Sequence, residues 1–264
     1  MARGKVIFVS AGPGAADLIT LRGARALGQA DVVLADALAD PALQDLAPQA
    51  RWMEVGKRGF EHSAKQTEIN ALLVKAAQEH ALVVRLKGGD ASVFGRLEEE
   101  LIALADAGID SEVVPGVTAA LAAAAQAQRP LTRRGRGRSV SLTTAMTELG
   151  ELRAARSADT EVFYMAGRQL AALGRQLLAA GWPGDTPTLV VSRAGCADAI
   201  TSEHPLADLA AAALLHRGRP TVVTVGTGAS LVGGQHAARP ASNKIIVSPE
   251  ICPTQAPLTA KSCP

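Results

Sequence analysis

Short apolar runs alternate with longer stretches of helical spacing along the first part of the chain. Five runs have the length and the Val and Ile content of buried strands: KVIFVS, DVVLAD, WMEV, LVVRL and EVVPG. Between the first and second runs, the stretch from Leu18 to Ala30 spaces its apolar residues as a helix does. Strands that alternate with helices predict a mainly parallel sheet in an α/β fold.

A second helix is predicted from Gln66 to Glu79. It begins with the capping pattern Ser63-x-x-Gln66. The apolar positions at helical spacing, which we expect to be buried, are Ile69, Leu72 and Leu73.

The alternation resumes after an Ala-rich helix predicted from Val117 to Gln126. The runs SVSLTT, EVFYM, TLVVS and TVVTVG read as four further strands, separated by helical patterns such as LAALGRQLLAAG. We therefore predict two α/β lobes, residues 1–115 and 116–235. Residues 236–264 lose the periodicity and are predicted to be a disordered tail.

Composition excludes several classes of protein. The chain has 264 residues, of which 48% are apolar, and this is ample for a packed core. Its 27 Lys and Arg nearly balance 25 Asp and Glu, so we expect neither a nucleic-acid partner nor a membrane surface. Three cysteines without C-x-x-C spacing, and scattered histidines, suggest no disulfide framework and no metal site. This cysteine pattern fits a reducing cytoplasm best, and the N-terminal apolar run is too short for a targeting segment.

Three glycine-containing turns follow predicted strands. The first holds Gly12, Pro13 and Gly14, and Asp17 prevents it from being a dinucleotide fingerprint, which would need glycine there. The second holds Gly88, Gly89 and Asp90, and the third leads to Thr118. Each could be a structural turn, with Asp90 or Thr118 capping the next helix. Three such turns at one sheet edge also suit a ligand that crosses all of them.

Five arginines lie within ten residues beside glycines: Arg129, Arg133, Arg134, Arg136 and Arg138. The cluster could be a solvated basic loop. It could equally clamp several carboxylates or phosphates, since guanidinium groups bind both in bidentate fashion. An RNA-binding segment is less well supported, because aromatic residues make up only 3% of the chain.

Taken in order, several motifs resemble the uroporphyrinogen-III C-methyltransferases of the tetrapyrrole methylase family. They are AGPGAADLITLRG, ADVVLAD, VGKR, HSAKQTEINALL, VVRLKGGD, FGR, VVPGVTAA, PLTRR, RSV and FYM, and they span roughly residues 5–232. The resemblance implies a two-lobed α/β protein, usually a homodimer, that binds S-adenosylmethionine between its lobes. It further implies methylation of two pyrrole carbons of uroporphyrinogen III, giving precorrin-2.

The resemblance also implies roles for individual residues. The positions that match the family's S-adenosylmethionine contacts are Pro13, Gly88, Gly89, Asp90, Val93, Thr118, Ala119, Met165, Ala194 and Thr221. Asp36 matches the family's proton acceptor and Lys57 its proton donor, while Arg96 and Glu99 match positions near the tetrapyrrole, where Glu99 is counted among the catalytic residues. The arginines Arg133, Arg134 and Arg136 are expected to bind substrate carboxylates.

The chain departs from the family pattern near the expected cleft. Ala35, Leu97, Glu98 and Met146 replace residues that are usually tyrosine, glycine, glycine and histidine. Two alternatives to uroporphyrinogen methylation therefore stay open. One is a family relative that methylates another acceptor, such as a later corrin intermediate or a peptide amide, and the other is a catalytically silent module that binds S-adenosylmethionine or anions.

Overall fold

The structure, a computed structural model, describes residues 4–56, 66–145, 152 and 154–233. Its first half contains a five-stranded sheet of β1 (Lys5–Ser10), β2 (Val32–Ala35), β3 (Arg51–Glu54), β4 (Leu82–Lys87) and β5 (Ser111–Val114). Every strand pair in it is parallel, in the order β3-β2-β4-β1-β5. The connections include the helices α1 (Leu21–Leu27), α2 (Gln66–Glu79) and α3 (Leu97–Asp106).

Both faces of the first sheet are covered, which explains why its strands read as continuous apolar runs. Ile7 and Val9 of β1 pack on one face against Leu27 of α1. Val6 and Phe8 point to the other face, where they pack with Leu73 of α2 and Leu104 of α3. Ile69 and Leu72 lie beside Leu73 but are only partly buried.

The second half contains another five-stranded sheet. Its strands are β6 (Val140–Thr144), β7 (Thr160–Tyr164), β8 (Pro187–Ser192), β9 (Ile200–Pro205) and β10 (Thr221–Gly226), in the order β6-β7-β10-β8-β9. Helix α5 (Leu170–Ala179) packs on one face and the Ala-rich α4 (Ala119–Gln126) on the other. Short 3₁₀ helices lie at Ala16–Leu18, Pro41–Leu46, Ala166–Arg168, Leu206–Ala213 and Thr227–Ala229.

Two features of the second sheet differ from the sequence-based prediction. The strand Ile200–Pro205 was not predicted, because its sequence ITSEHP contains no run of apolar residues. The prediction of a mainly parallel sheet is wrong here, since only the β6–β7 pair is parallel and the other three are antiparallel. Both faces of the central strands are buried, so the apolar pattern does not distinguish the two pairings.

The predicted helix from Gln66 to Glu79 matches α2, whereas its capping residue Ser63 lies outside the described residues. The predicted tail also lies outside them. Within the described part of the chain, no helix is both long and apolar enough to span a bilayer.

Candidate active site

The first two glycine turns are hydrogen bonded to each other at the carboxyl edge of the first sheet. Gly12 N donates to Gly89 O at 3.1 Å, and Gly89 N donates to Gly12 O at 2.8 Å. Both residues have left-handed backbones, with φ of +80° and +69°. A side chain at Gly12 would collide with Leu18, but one at Gly89 would meet nothing within 4 Å. The backbone of Gly89 therefore faces open space that a ligand can fill.

Asp90 joins the second turn to the third. One carboxylate oxygen accepts the N–H of Ser92 at 2.8 Å, and the other accepts the N–H of Gly116 at 2.8 Å. The buried Ser10 hydroxyl accepts the N–H of Ala91 at 3.0 Å, which fixes the same turn to β1. A carboxylate has about four acceptor positions, so Asp90 can hold this structure and still accept from a ligand.

Thr118 occupies the cap position of α4 without capping it. Its hydroxyl instead lies 2.7 Å from the hydroxyl of Tyr164, at the end of β7. Burial raises the pKa of Tyr164, so this phenol stays protonated at neutral pH. The ring of Phe94 lies 5.0 Å from that of Tyr164. Val93 and Ala119 pack into the same apolar cluster, which therefore brings together residues of both halves of the chain.

Met165, Ala194 and Thr221 lie along one edge of the second sheet. Thr221 is paired with Ser192, the last residue of β8, and Val223 with Phe163 of β7. Because β10 runs antiparallel to both neighbours, its beginning lies beside their carboxyl ends. Met165 and Arg193 follow those two ends with left-handed backbones, at φ of 56° and 53°. Strained non-glycine residues of this kind are often found at functional sites.

The edges of the two sheets touch through their loops. Ala15 N donates to Gly195 O at 3.0 Å. A side chain at Gly14 would lie 2.7 Å from the carbonyl carbon of Gly195 and 2.9 Å from Sγ of Cys196, so the contact requires glycine. The ten residues that were expected to contact S-adenosylmethionine thus lie at the strand ends, the following loops and the start of α4, along two sheet edges that touch through Ala15 and Gly195.

The expected proton acceptor Asp36 follows β2 at the carboxyl edge of the first sheet. Its N–H donates to Leu86 O at 2.9 Å, and its Oδ1 accepts the N–H of Ala37 at 2.9 Å. A side chain at Gly56 would come within 2.9 Å of the same Oδ1. The chain that leads to Lys57 therefore passes beside this carboxylate, although Lys57 lies outside the described residues, as does Met146.

Glu99 and Arg96 form a bidentate ion pair on the first turn of α3. Arg96 donates through Nε at 2.7 Å and through Nη2 at 2.8 Å. These hydrogen bonds lower the pKa of Glu99. The carboxyl group is therefore ionised at neutral pH and unsuited to donate a proton. Both side chains are about half exposed, so they can turn toward a charged substrate.

A buried ionic triad underlies Asp36 and was not predicted from the sequence. Glu100 is fully buried and accepts from Arg85 at 3.1 Å and from Lys87 at 2.8 Å. Burial, followed by the charge of Arg85, lowers the pKa of Lys87. The available signal was the presence of two cations inside the apolar strand LVVRLK. Tyr164, the one tyrosine of the chain, was also missed, and its position directly before Met165 was the signal.

The arginine cluster lies at the opposite edge of the second sheet. A side chain at Gly137 would collide with Thr227, which follows β10. Arg138 N donates to Asp159, which precedes β7. Arg133 donates to the carbonyls of Ser230 and Leu231. Strand β7 therefore separates Arg134 and Arg136 from Met165, by roughly 15 Å at the usual rise per residue. This placement does not support the expected rim around the chain's own cleft.

A groove of about 830 Å³ runs between α4 and β6. Its lining is mostly apolar, including Leu121, Leu131 and Leu142, and it also includes Thr118 of the candidate cofactor site. Among the described residues, no group of three His, Cys, Asp or Glu is placed to hold a metal ion.

The fold is that of a known family. The family model of the Tetrapyrrole (Corrin/Porphyrin) Methylases matches residues 5–210. The chain therefore belongs to the tetrapyrrole methylase family.

Relatives within the family are more specific. The chain is 46% identical over 195 residues to uroporphyrinogen-III C-methyltransferase of Pseudomonas aeruginosa, a match that covers 72% of this chain and 80% of the relative. It is 48% identical over 198 residues to siroheme synthase 1 of Pectobacterium atrosepticum, covering 73% of this chain but only 41% of that longer protein.

Solved structures agree with these matches. Uroporphyrin-III C-methyl transferase from Thermus thermophilus, complexed with S-adenyl homocysteine, superposes with a TM-score of 0.74 at 36% identity. That match covers 84% of this chain and 97% of the other. A cobalt precorrin-4 methyltransferase superposes with a TM-score of 0.75 at 28% identity, covering 86% and 96%.

Proposed function

We propose that this chain transfers methyl groups from S-adenosylmethionine to two pyrrole carbons of uroporphyrinogen III, giving precorrin-2. The single observation that carries the proposal is the hydrogen-bonded pair of turns at Gly12 and Gly89, which leaves open space over Gly89 beside Thr118 and Tyr164. This cradle fits a folded S-adenosylmethionine, because bare backbone permits close approach and Asp90 can accept from its polar groups. The relatives named above support the choice of donor and acceptor.

The reaction requires the protein to position the two reactants, to exclude water and to supply a base. The electron-rich pyrrole carbon forms a bond to the methyl carbon as the methyl–sulfur bond breaks, and that bonding pair stays on sulfur. The apolar cluster around Val93 and Ala119 would exclude water from this step. A base then removes a proton from the methylated ring cation.

Asp36 is the proposed base, because it stands at the carboxyl edge beside the second glycine turn. Lys57 is the proposed proton donor. Glu99 is the proposed third catalytic residue, acting as a fixed negative charge paired with Arg96, and Arg96 is the proposed contact for substrate carboxylates. Arg133, Arg134 and Arg136 are left out of this set, since the sheet separates them from the cleft.

The test is anaerobic incubation with S-adenosylmethionine and uroporphyrinogen III, followed by mass measurement of the tetrapyrrole. Each transfer replaces a proton by a methyl group and so adds the mass of one CH₂. We expect a product with two such additions. Binding of S-adenosylhomocysteine without any added mass would favour the silent binding module instead.

A second candidate is methylation of a later corrin intermediate. The observation that favours it is the start of α3, where Leu97 packs partly into the core and Glu98 extends the acidic first turn beside Arg96. Glycines at these positions would leave a wider entrance. Transfer to a corrin acceptor, with none to uroporphyrinogen III, would establish this alternative.

We also propose that the two lobes meet near residue 115, and that the protein is a cytoplasmic homodimer. These points rest on the family resemblance. Light scattering of the purified chain tests the dimer.

A further inference from the structure

A hydrogen-bonded chain of polar side chains, buried or partly buried, runs from β9 to the loop that follows β8. His204 Nε2 lies 2.8 Å from the Ser202 hydroxyl, which lies 2.8 Å from His216 Nε2. His216 Nδ1 lies 3.0 Å from the Ser192 hydroxyl, and Arg219 Nε donates to that hydroxyl at 3.1 Å. His216 is completely buried, and nothing in the proposed reaction uses it.

In this hydrogen-bonded chain, every donor points in the direction from Arg219 toward His204. Arg219 Nε can only donate, so the Ser192 oxygen accepts from it and the Ser192 proton is free for His216 Nδ1. His216 then carries its proton on Nε2 and donates to Ser202, whose own proton goes to His204. Each contact thus has one donor and one acceptor, with both imidazoles neutral. Burial lowers the pKa of His216 to about 4, which agrees with this assignment.

This hydrogen-bonded chain of side chains ends on the loop of residues 193–198. Arg219 donates through Nη2 to the Asp198 carboxylate at 3.0 Å and to the Asp198 carbonyl, while Arg193 binds the same carboxylate at 2.7 Å. The loop is strained at Arg193 and touches the first glycine turn through Gly195 and Ala15. The hydrogen bonds that Arg193 and Arg219 make to Asp198 therefore support this loop.

We propose that His216 is a positioning residue for S-adenosylmethionine, acting through Ser192 and Arg219 to hold the 193–198 loop against the first glycine turn. The inference rests on the proposed function, because Ala194 and Pro13 are proposed cofactor contacts. It predicts an asymmetry between the two neighbours of His216. The Ser192 side leads to the loop, and the Ser202 side leads away from it.

The experiment compares Ser192→Ala with Ser202→Ala. Both serines are buried, and each substitution removes one hydrogen bond to His216. Calorimetric titration with S-adenosylhomocysteine gives the dissociation constant, and thermal unfolding gives the stability. We expect about a tenfold weaker dissociation constant for Ser192→Ala, the effect of one hydrogen bond to a charged group, and less than a twofold change for Ser202→Ala. The single-turnover rate at saturating S-adenosylmethionine should be unchanged in both.

A second pair separates the imidazole from the serine. The side-chain amide of an asparagine at position 216 reaches the place of the imidazole Nδ1. The amide of a glutamine there reaches the place of Nε2. His216→Asn should therefore retain near wild-type affinity for S-adenosylhomocysteine, and His216→Gln should lose about tenfold. Equal dissociation constants within each pair, with only stability altered, would overturn the inference. Failure of the wild-type chain itself to bind S-adenosylhomocysteine would instead overturn the proposed function.

Discussion

Asp36 and Glu99 are carboxylates of one candidate site that have different partners. Among the described residues, the Asp36 carboxylate accepts one hydrogen bond, from the N–H of Ala37, whereas the Glu99 carboxylate accepts two from Arg96. A carboxylate with few partners keeps acceptor positions open for a proton, and one locked in a bidentate pair acts as a fixed charge.

This difference gives the first prediction. Asp36→Asn should lower the single-turnover rate by about a hundredfold to ten-thousandfold, the usual contribution of a general base, while the dissociation constant of S-adenosylhomocysteine stays within twofold. Asp45→Asn, at an exposed aspartate on the same half of the chain, is the control and should leave both values unchanged. A wild-type rate for Asp36→Asn would show that Asp36 is not the general base.

Gly89 allows a test of the cradle with a matched control. Gly89 and Gly135 both have left-handed backbones, and a side chain at either would meet nothing within 4 Å. Alanine should therefore cost about 1 kcal/mol of unfolding free energy at each position through the same backbone strain. We expect only Gly89→Ala to weaken S-adenosylhomocysteine binding in calorimetry. Equal binding by the two variants would place the cofactor elsewhere.

At the scale of the element, the triad of Arg85, Lys87 and Glu100 ties α3 to the centre of the first sheet. Two cations share one fully buried carboxylate, so removal of that carboxylate leaves both cations buried without compensation. Glu100→Gln should lower the free energy of unfolding by about 3–5 kcal/mol in urea titration. Glu112→Gln, which removes an exposed pair with Lys5, should have a much smaller effect. Similar losses for both variants would contradict this account.

The elements themselves were largely predictable from the sequence. Nine of the ten strands in the described residues were predicted as apolar runs, and the described helix α2 agrees with the helix predicted near Gln66 to Glu79. The exception, Ile200–Pro205, is an edge strand whose Ser202 and His204 belong to the buried polar chain, so its pattern carries no apolar face. The direction of strand pairing depends on tertiary contacts that apolar spacing does not record.

At the scale of the whole molecule, the stability should depend on pH through His216. Burial lowers its pKa from 6.5 to about 4, with contributions from His204 and Arg219. Between these two pH values, His216 is therefore protonated in the unfolded chain and neutral in the folded chain. The free energy of unfolding should fall as the pH decreases from about 6.5 to about 4, by up to about 3 kcal/mol, and be unaffected by this group above that range.

Urea unfolding across this pH range, in wild type and His216→Asn, measures the effect. The difference between the two proteins is informative, because His204, whose pKa burial also lowers, and the carboxylates are common to both. The dependence should be shallower in His216→Asn. Parallel curves would show that the pKa of His216 is the same in the folded and the unfolded protein.

The arginine cluster lies before the start of β7, whereas Met165 of the candidate site follows the end of the same strand. Its charge density suggested a substrate rim, but the position of a loop relative to a cleft depends on which end of a strand it joins. We expect the double variant Arg134→Gln/Arg136→Gln to retain the wild-type Michaelis constant for the tetrapyrrole at low salt, where electrostatic contacts are strongest. A raised constant that approaches the wild-type value at high salt would return these arginines to the substrate site.

The order of strands in the first sheet has a consequence for biosynthesis. β1 is made first, yet it lies between β4 and β5, and its register partners begin at Leu82 and Ser111. On the ribosome, β1 therefore has no partner until β4, which begins at Leu82, has emerged, and it gains its second partner only with β5, which begins at Ser111. Pairing across such a distance in sequence is slow, and an apolar strand left open for that time is prone to aggregation. Nascent chains that end before residue 111 should accordingly depend on chaperones, whereas chains released after β5 should not.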